Sequence, residues 1–181
     1  MTAAGPGPRL VLIGPMGAGK STVADLLAAQ WGMTVRDTDR DIEAVEGREI
    51  SAIFVDEGEG YFRAREREAV AAALAEHTGV IALGGGAVLD ESTRALLDGH
   101  PVVFLNVGFT EAVKRVGLGA GRPMLLGNVR SQVKALLDER FPVYDAVGSV
   151  RVETDGKSAE QVAAEVAATV ESLQWHRAGQ L

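Results

Sequence analysis

Apolar positions recur along this chain in two rhythms. Short runs at residues 10–13, 79–83 and 101–107 are almost unbroken, the pattern of strands buried on both faces in a parallel sheet covered by helices. Elsewhere the spacing is helical: Val23, Leu26, Leu27 and Trp31 fall on one face over 22–31, and Ile53, Phe54, Phe62, Val70 and Leu74 mark a long helix over 50–77. Residues 32–36 and 147–153 add two further strands. Helices are expected at 40–45, 92–97, 111–116, 129–141 and 159–173, with 174–181 as a frayed tail. Strands alternating with helices predict an α/β fold of three layers, α/β/α, around a five-stranded parallel sheet. Without repeats, heptads or a low-complexity linker, residues 1–181 read as one domain.

The first strand does not pass directly into the first helix. Between them stands Gly14-Pro15-Met16-Gly17-Ala18-Gly19-Lys20-Ser21, followed by Thr22. Glycines let such a loop wrap tightly around an anion, its successive backbone N–H groups point inward, and the helix N-terminus adds partial positive charge. A polyphosphate fits a loop of this kind, cradled by Gly17, Ala18, Gly19, Lys20, Ser21 and Thr22. Lys20 is expected at its β- and γ-phosphates and the Ser21 hydroxyl as a ligand of Mg²⁺. From this chain's own residue frequencies, a chance match to G-x-x-x-x-G-K-[ST] arises in roughly half a percent of such chains. The motif is read as a P-loop.

Composition narrows what the phosphate is for. A net charge of −7 argues against a broad nucleic-acid or membrane surface, so anionic ligands must be met by individual basic residues, and 14 of the 18 are arginine. Cysteine is absent and His77, His100 and His176 are far apart in sequence, which excludes disulfides and makes a zinc centre improbable. No apolar run approaches membrane length, and the first eight residues lack the pattern of a signal peptide, so the cytoplasm is the expected compartment; a monomer is the expected state.

Four further places carry candidate chemistry. Asp37-Thr38-Asp39 closes the second strand at its C-terminal end, where ligands gather in open α/β sheets, although Asp39 or Thr38 simply capping the next helix would also explain the segment. Gly84-Gly85-Gly86 ends the third strand and leaves backbone open to a ligand, unless it is simply a tight turn. Gly117 to Met124 breaks periodicity with glycine and suits a mobile lid over 117–127 in which Arg122 swings toward a phosphate. Arg63, in a charged stretch that otherwise reads as a solvated helical face, and Arg140 could clamp an acceptor's anionic group while Asp39 orients or deprotonates its hydroxyl.

Three functional classes compete for a P-loop. A GTPase switch should carry N-K-x-D, yet neither Asn106 nor Asn128 precedes a lysine, and a mechanical ATPase should end a central strand in an acid where this chain has Gly84. A small-molecule kinase needs an acceptor pocket and a lid, and this chain offers both, with 38–66 as the acceptor segment.

The set GPMGAGKST, Asp37-Thr38-Asp39, Phe62-Arg63 with Glu66, Gly84-Gly85-Gly86, Arg122-Pro123 and Arg140 with Pro142 and Tyr144 resembles, in order and spacing, the shikimate kinases. Gluconate and nucleoside monophosphate kinases, the alternatives, share the P-loop but not the rest of that set. The resemblance implies transfer of the γ-phosphoryl of ATP to the 3-hydroxyl of shikimate, with Mg²⁺, in aromatic amino-acid biosynthesis. It implies Lys20, Asp39 and Arg122 as catalytic residues and Ser21 with Asp37, through water, at the metal. Asp39, Arg63, Arg140, Gly85 and Gly86 fall at its shikimate positions, with Ile50, Phe54, Phe62 and Pro123 against the ring. Arg115, Arg122 and Lys157 fall on the nucleotide side. The chain departs from the pattern where Ala82 and Leu83 replace a frequent Ser or Thr, and where Gly156-Lys157 replaces a frequent Arg.

Overall fold

A computed structural model describes residues 7–117 and 129–178, and the side chains of most of them. Five strands, β1 (Leu10–Ile13), β2 (Val35–Asp37), β3 (Val80–Ala82), β4 (Val102–Asn106) and β5 (Val150–Glu153), form one sheet in the order β2-β3-β1-β4-β5. Every pairing is parallel, with Leu12 facing Ala82 on one side and Val103 on the other. Among the described residues eight α-helices accompany it: α1 (Lys20–Trp31), α2 (Thr38–Glu46), α3 (Ile50–Glu57), α4 (Glu59–Glu76), α5 (Glu91–Leu97), α6 (Phe109–Gly117), α7 (Val129–Val147) and α8 (Ala159–Ala178).

Side chains alternate across a strand, so each buried run serves two cores. Leu10, Leu12, Val80, Ala82, Val103 and Leu105 meet Val23, Ala24 and Leu27 of α1 and Val162, Val166 and Val170 of α8. Their neighbours Val11, Ile13, Ile81, Leu83, Val102 and Phe104 meet Val70 and Leu74 of α4, Leu97 of α5 and Tyr144 of α7. These are the three layers that unbroken apolar runs require. A small third cluster, Ile42, Ile53 and Phe62 with Ile50 and Phe54 against it, holds α2, α3 and α4 together at one end of the sheet.

The strand expected over 32–36 is β2 (Val35–Asp37), and the helix expected from 40 starts at Thr38; three other borders depart further. The single helix expected over 50–77 is two, because Gly58, at φ 85° and ψ 172°, ends α3 and begins the chain's turn into α4. The stop expected at Pro142 does not occur: α7 runs through it to Val147, and the strand expected from 147 starts at Val150. Proline costs α7 one backbone hydrogen bond, which the burial of Tyr144 beyond it offsets. Lastly, α8 extends past the expected 173 to Ala178. Among the described residues no helix is long and apolar enough to cross a membrane.

Candidate functional site

Because all five strands run the same way, the loop after β1, the acids after β2 and the glycines after β3 emerge at one edge of the sheet. They open onto a cavity of 590 Å³. Around it stand Gly17, Gly19, Lys20, Ser21 and Thr22 on one side and Asp39, Phe62, Arg63, Gly85, Gly86 and Arg140 on the other, with Asp37 and Arg115 also on its wall.

On the phosphate side, Lys20 Nζ donates to the Gly14 and Pro15 carbonyls at 2.7 and 3.0 Å, so its ammonium is folded back over the loop it would share with a phosphate. Ala18 is buried beneath the loop and contributes backbone. Ser21 Oγ donates to Asp37 Oδ2 at 2.7 Å, while Asp37 Oδ1 caps α2 by accepting from the N–H groups of Asp39 and Arg40. The cap is therefore Asp37, which leaves Asp39 free to face the cavity. Ser21 and Asp37 form a pair of hard oxygen donors, the set that Mg²⁺ prefers alongside phosphate oxygens and water. Among the described residues no group of three or more His, Cys, Asp or Glu makes an all-protein metal site. From α6, Arg115 reaches across the chain to donate to the Gly17 carbonyl at 2.7 Å.

Carboxylates and guanidiniums alternate on the acceptor side. Burial, helped by Asp37, Glu66 and Glu43 and opposed by Lys20, pushes the Asp39 carboxyl up to about 6. Glu66 lies in the charged stretch of α4 yet is buried, and its Oε2 takes Arg63 at 2.6 Å; burial raises its pKa while Arg63 and Arg140 oppose the shift. Arg63 also stands 5.3 Å over the Phe62 ring, so it points into the cavity rather than lying on a solvated face. Glycine is needed after β3 because of close approach: a Cβ at Gly84 would sit 2.5 Å from Asp39 Oδ1 and 2.9 Å from Glu66 Oε1, and one at Gly86 would overlap the Arg63 guanidinium. Ile50, Phe54 and Phe62 supply the apolar wall.

One expected side chain, that of Lys157, does not stand on this wall. Lys157 pairs with Glu165 at 2.6 Å at the start of α8, away from the described lining of the cavity. Arg122, Pro123 and all but Gly117 of the expected lid lie outside the described residues. Conversely, Glu43, Glu49 and Ser51 line the cavity without having been singled out, because helical acids separated from any motif look the same as solvated ones. Thr38, fully buried, joins two of the motifs: its Oγ1 accepts the Gly84 N–H at 3.1 Å.

A P-loop at the C-terminal edge of a parallel sheet, facing a second half lined by an acid and arginines, defines the class of small P-loop phosphotransferases. Within that class, the family model described as Shikimate kinase matches residues 16–171. The shikimate kinase of Salinispora arenicola is 60% identical over 89% of this chain and 96% of its own length, and that of Salinispora tropica is 56% identical over 91% and 99%. Among solved structures, shikimate kinase from Acinetobacter baumannii in complex with shikimate is 34% identical, with a TM-score of 0.87 over 91% of this chain and 93% of that one. The chain belongs to the shikimate kinase family.

Proposed function

We propose that this enzyme transfers the γ-phosphoryl group of ATP to the 3-hydroxyl of shikimate, giving shikimate 3-phosphate and ADP. The observation that carries the reading is the cavity itself: an anion-binding loop and a pocket holding Arg63, Arg140 and the largely buried Asp39 open onto the same 590 Å³ space. Family membership supports the choice of acceptor.

The nucleotide binds along the loop, with backbone N–H groups of Gly17 to Thr22 on its phosphates and Arg115 toward its base. Lys20 leaves the Gly14 and Pro15 carbonyls for the β- and γ-phosphates and balances charge that grows on the bridging oxygen as the bond to it breaks. Ser21 and Asp37 would hold Mg²⁺, which would supply charge neutralisation on the phosphate oxygens. Lys157 is assigned to the adenine side and Arg122 to the transferring group, both on the family pattern. Shikimate's carboxylate is taken by Arg63 and Arg140, its ring rests on Ile50, Phe54 and Phe62, and Gly85 and Gly86 present backbone to its hydroxyls. Asp39 accepts a hydrogen bond from the 3-hydroxyl and takes its proton as the O3–P bond forms and ADP leaves. One chain supplies both halves of the cavity, so the reaction needs no residue from a second copy, and a monomer is the state we infer.

A coupled assay of ADP release with shikimate, gluconate, AMP and no acceptor in parallel tests the reading. Strong stimulation by shikimate alone is expected. Comparable turnover with gluconate or AMP would overturn the acceptor assignment.

A further inference from the structure

We propose that Tyr144 is a positioning residue for the acceptor: its hydroxyl fixes the peptide between Gly85 and Gly86 so that the Gly86 N–H faces the cavity. Tyr144 belongs to α7, is 1% exposed, and its ring stacks on Phe104 with centroids 5.1 Å apart and planes 28° apart. Packing thus leaves the ring one place to be, and a buried phenol must find an acceptor there. The acceptor it finds is the Gly85 carbonyl.

The consequence follows from the geometry of the amide. In a trans peptide the C=O of one residue and the N–H of the next point in opposite directions across one plane. A Gly85 carbonyl held toward the Tyr144 side turns the Gly86 N–H away from it, and both glycines line the cavity. Among the described residues that N–H is spent on no backbone carbonyl. The backbone on either side is already tied: Thr38 Oγ1 takes the Gly84 N–H, and the Ala87 N–H returns to the Gly84 carbonyl at 3.1 Å. Between those ties, the Gly85–Gly86 peptide carries no Cβ on either flank to resist a flip. The Tyr144 hydroxyl is what resists it. The same phenol stands beside the Arg140 guanidinium, one helical turn earlier, so the hydroxyl sits where the carboxylate clamp and the glycine backbone meet.

The proposal rests on shikimate being the occupant of this cavity, and the experiment separates the two. Tyr144→Phe keeps the stacked ring and removes the donor. Its KM for shikimate should rise about tenfold, the size of one lost hydrogen bond, while its KM for ATP stays within twofold of the parent. Replacing Tyr144 with 3-fluorotyrosine, which keeps the donor, should restore the shikimate KM. Between 4-deoxyshikimate and 5-deoxyshikimate, the penalty of Tyr144→Phe should vanish for the analogue lacking the hydroxyl that takes the Gly86 N–H and persist for the other. An equal penalty with both analogues, a shared rise in both KM values, or loss of ATP binding would overturn the proposal by showing a structural role. An unmodified enzyme that does not turn over shikimate would instead overturn the proposed function.

Discussion

Lys20, Asp39 and Arg63 all line the cavity, Lys20 tied to the Gly14 and Pro15 carbonyls, Asp39 largely buried and Arg63 paired with Glu66. Lys20→Ala should lower kcat about a hundred- to a thousandfold, the usual cost of removing one preorganised donor from developing charge, with an unchanged circular dichroism spectrum. Asp39 carries a folded-state pKa near 6 against an ordinary 3.8, so below pH 6 it is protonated and kcat/KM should fall tenfold per pH unit. The sign for stability is the opposite one. A raised carboxyl pKa favours the fold below pH 3.8, and that contribution is lost as pH rises through 6, so the ionised acid opposes folding at neutral pH by up to about 3 kcal/mol. Asp39→Asn should therefore melt at a higher temperature at pH 8 while turning over far more slowly; a variant that loses both stability and activity would refute the buried-charge account. Arg63→Lys keeps the charge but loses the planar fork, and calorimetry should find shikimate bound roughly ten- to a hundredfold more weakly with ATP affinity nearly unchanged. Chemistry at this scale was legible because it sits in short motifs. Glu66 was named only through the family pattern and its burial was not legible, since it shares α4 with the solvated Glu59, Glu68 and Glu76, and only the packing of α4 against the glycine turn after β3 tells it apart.

Elements carry the spacing between those residues. The turn at Gly58 lies in a backbone region that is essentially glycine's alone, so Gly58→Ala should cost about 1–3 kcal/mol in denaturant unfolding. Because Phe54 and Phe62 meet across that turn with ring centroids 4.6 Å apart, the same change should weaken shikimate more than ATP. The break between α3 and α4 was invisible to periodicity, which continues unbroken from Ile53 to Leu74 because both helices feed the apolar floor of the acceptor side. Proline misled in the other direction at α7: local chemistry favours a stop, but Tyr144 packed on Phe104 carries the helix past it. The five strands were legible since continuous apolar runs have few other uses, and their order was not, because parallel pairing depends on crossovers that no single segment encodes.

At the scale of the molecule, the parallel sheet sets both halves of the cavity on one edge, and they draw on different elements: α1 and α6 on the side proposed for the nucleotide, α2, α3, α4 and α7 on the side proposed for shikimate. That division is why substitutions on one side should leave affinity on the other intact. It also places the outcome in the bond that joins them. Phosphorus NMR of a mixture of enzyme, ATP, Mg²⁺ and shikimate follows that bond directly. The account predicts one new phosphomonoester resonance, coupled to the ring proton at C3 and growing in step with ADP; ADP accompanied only by inorganic phosphate, or a monoester at another hydroxyl, would contradict it.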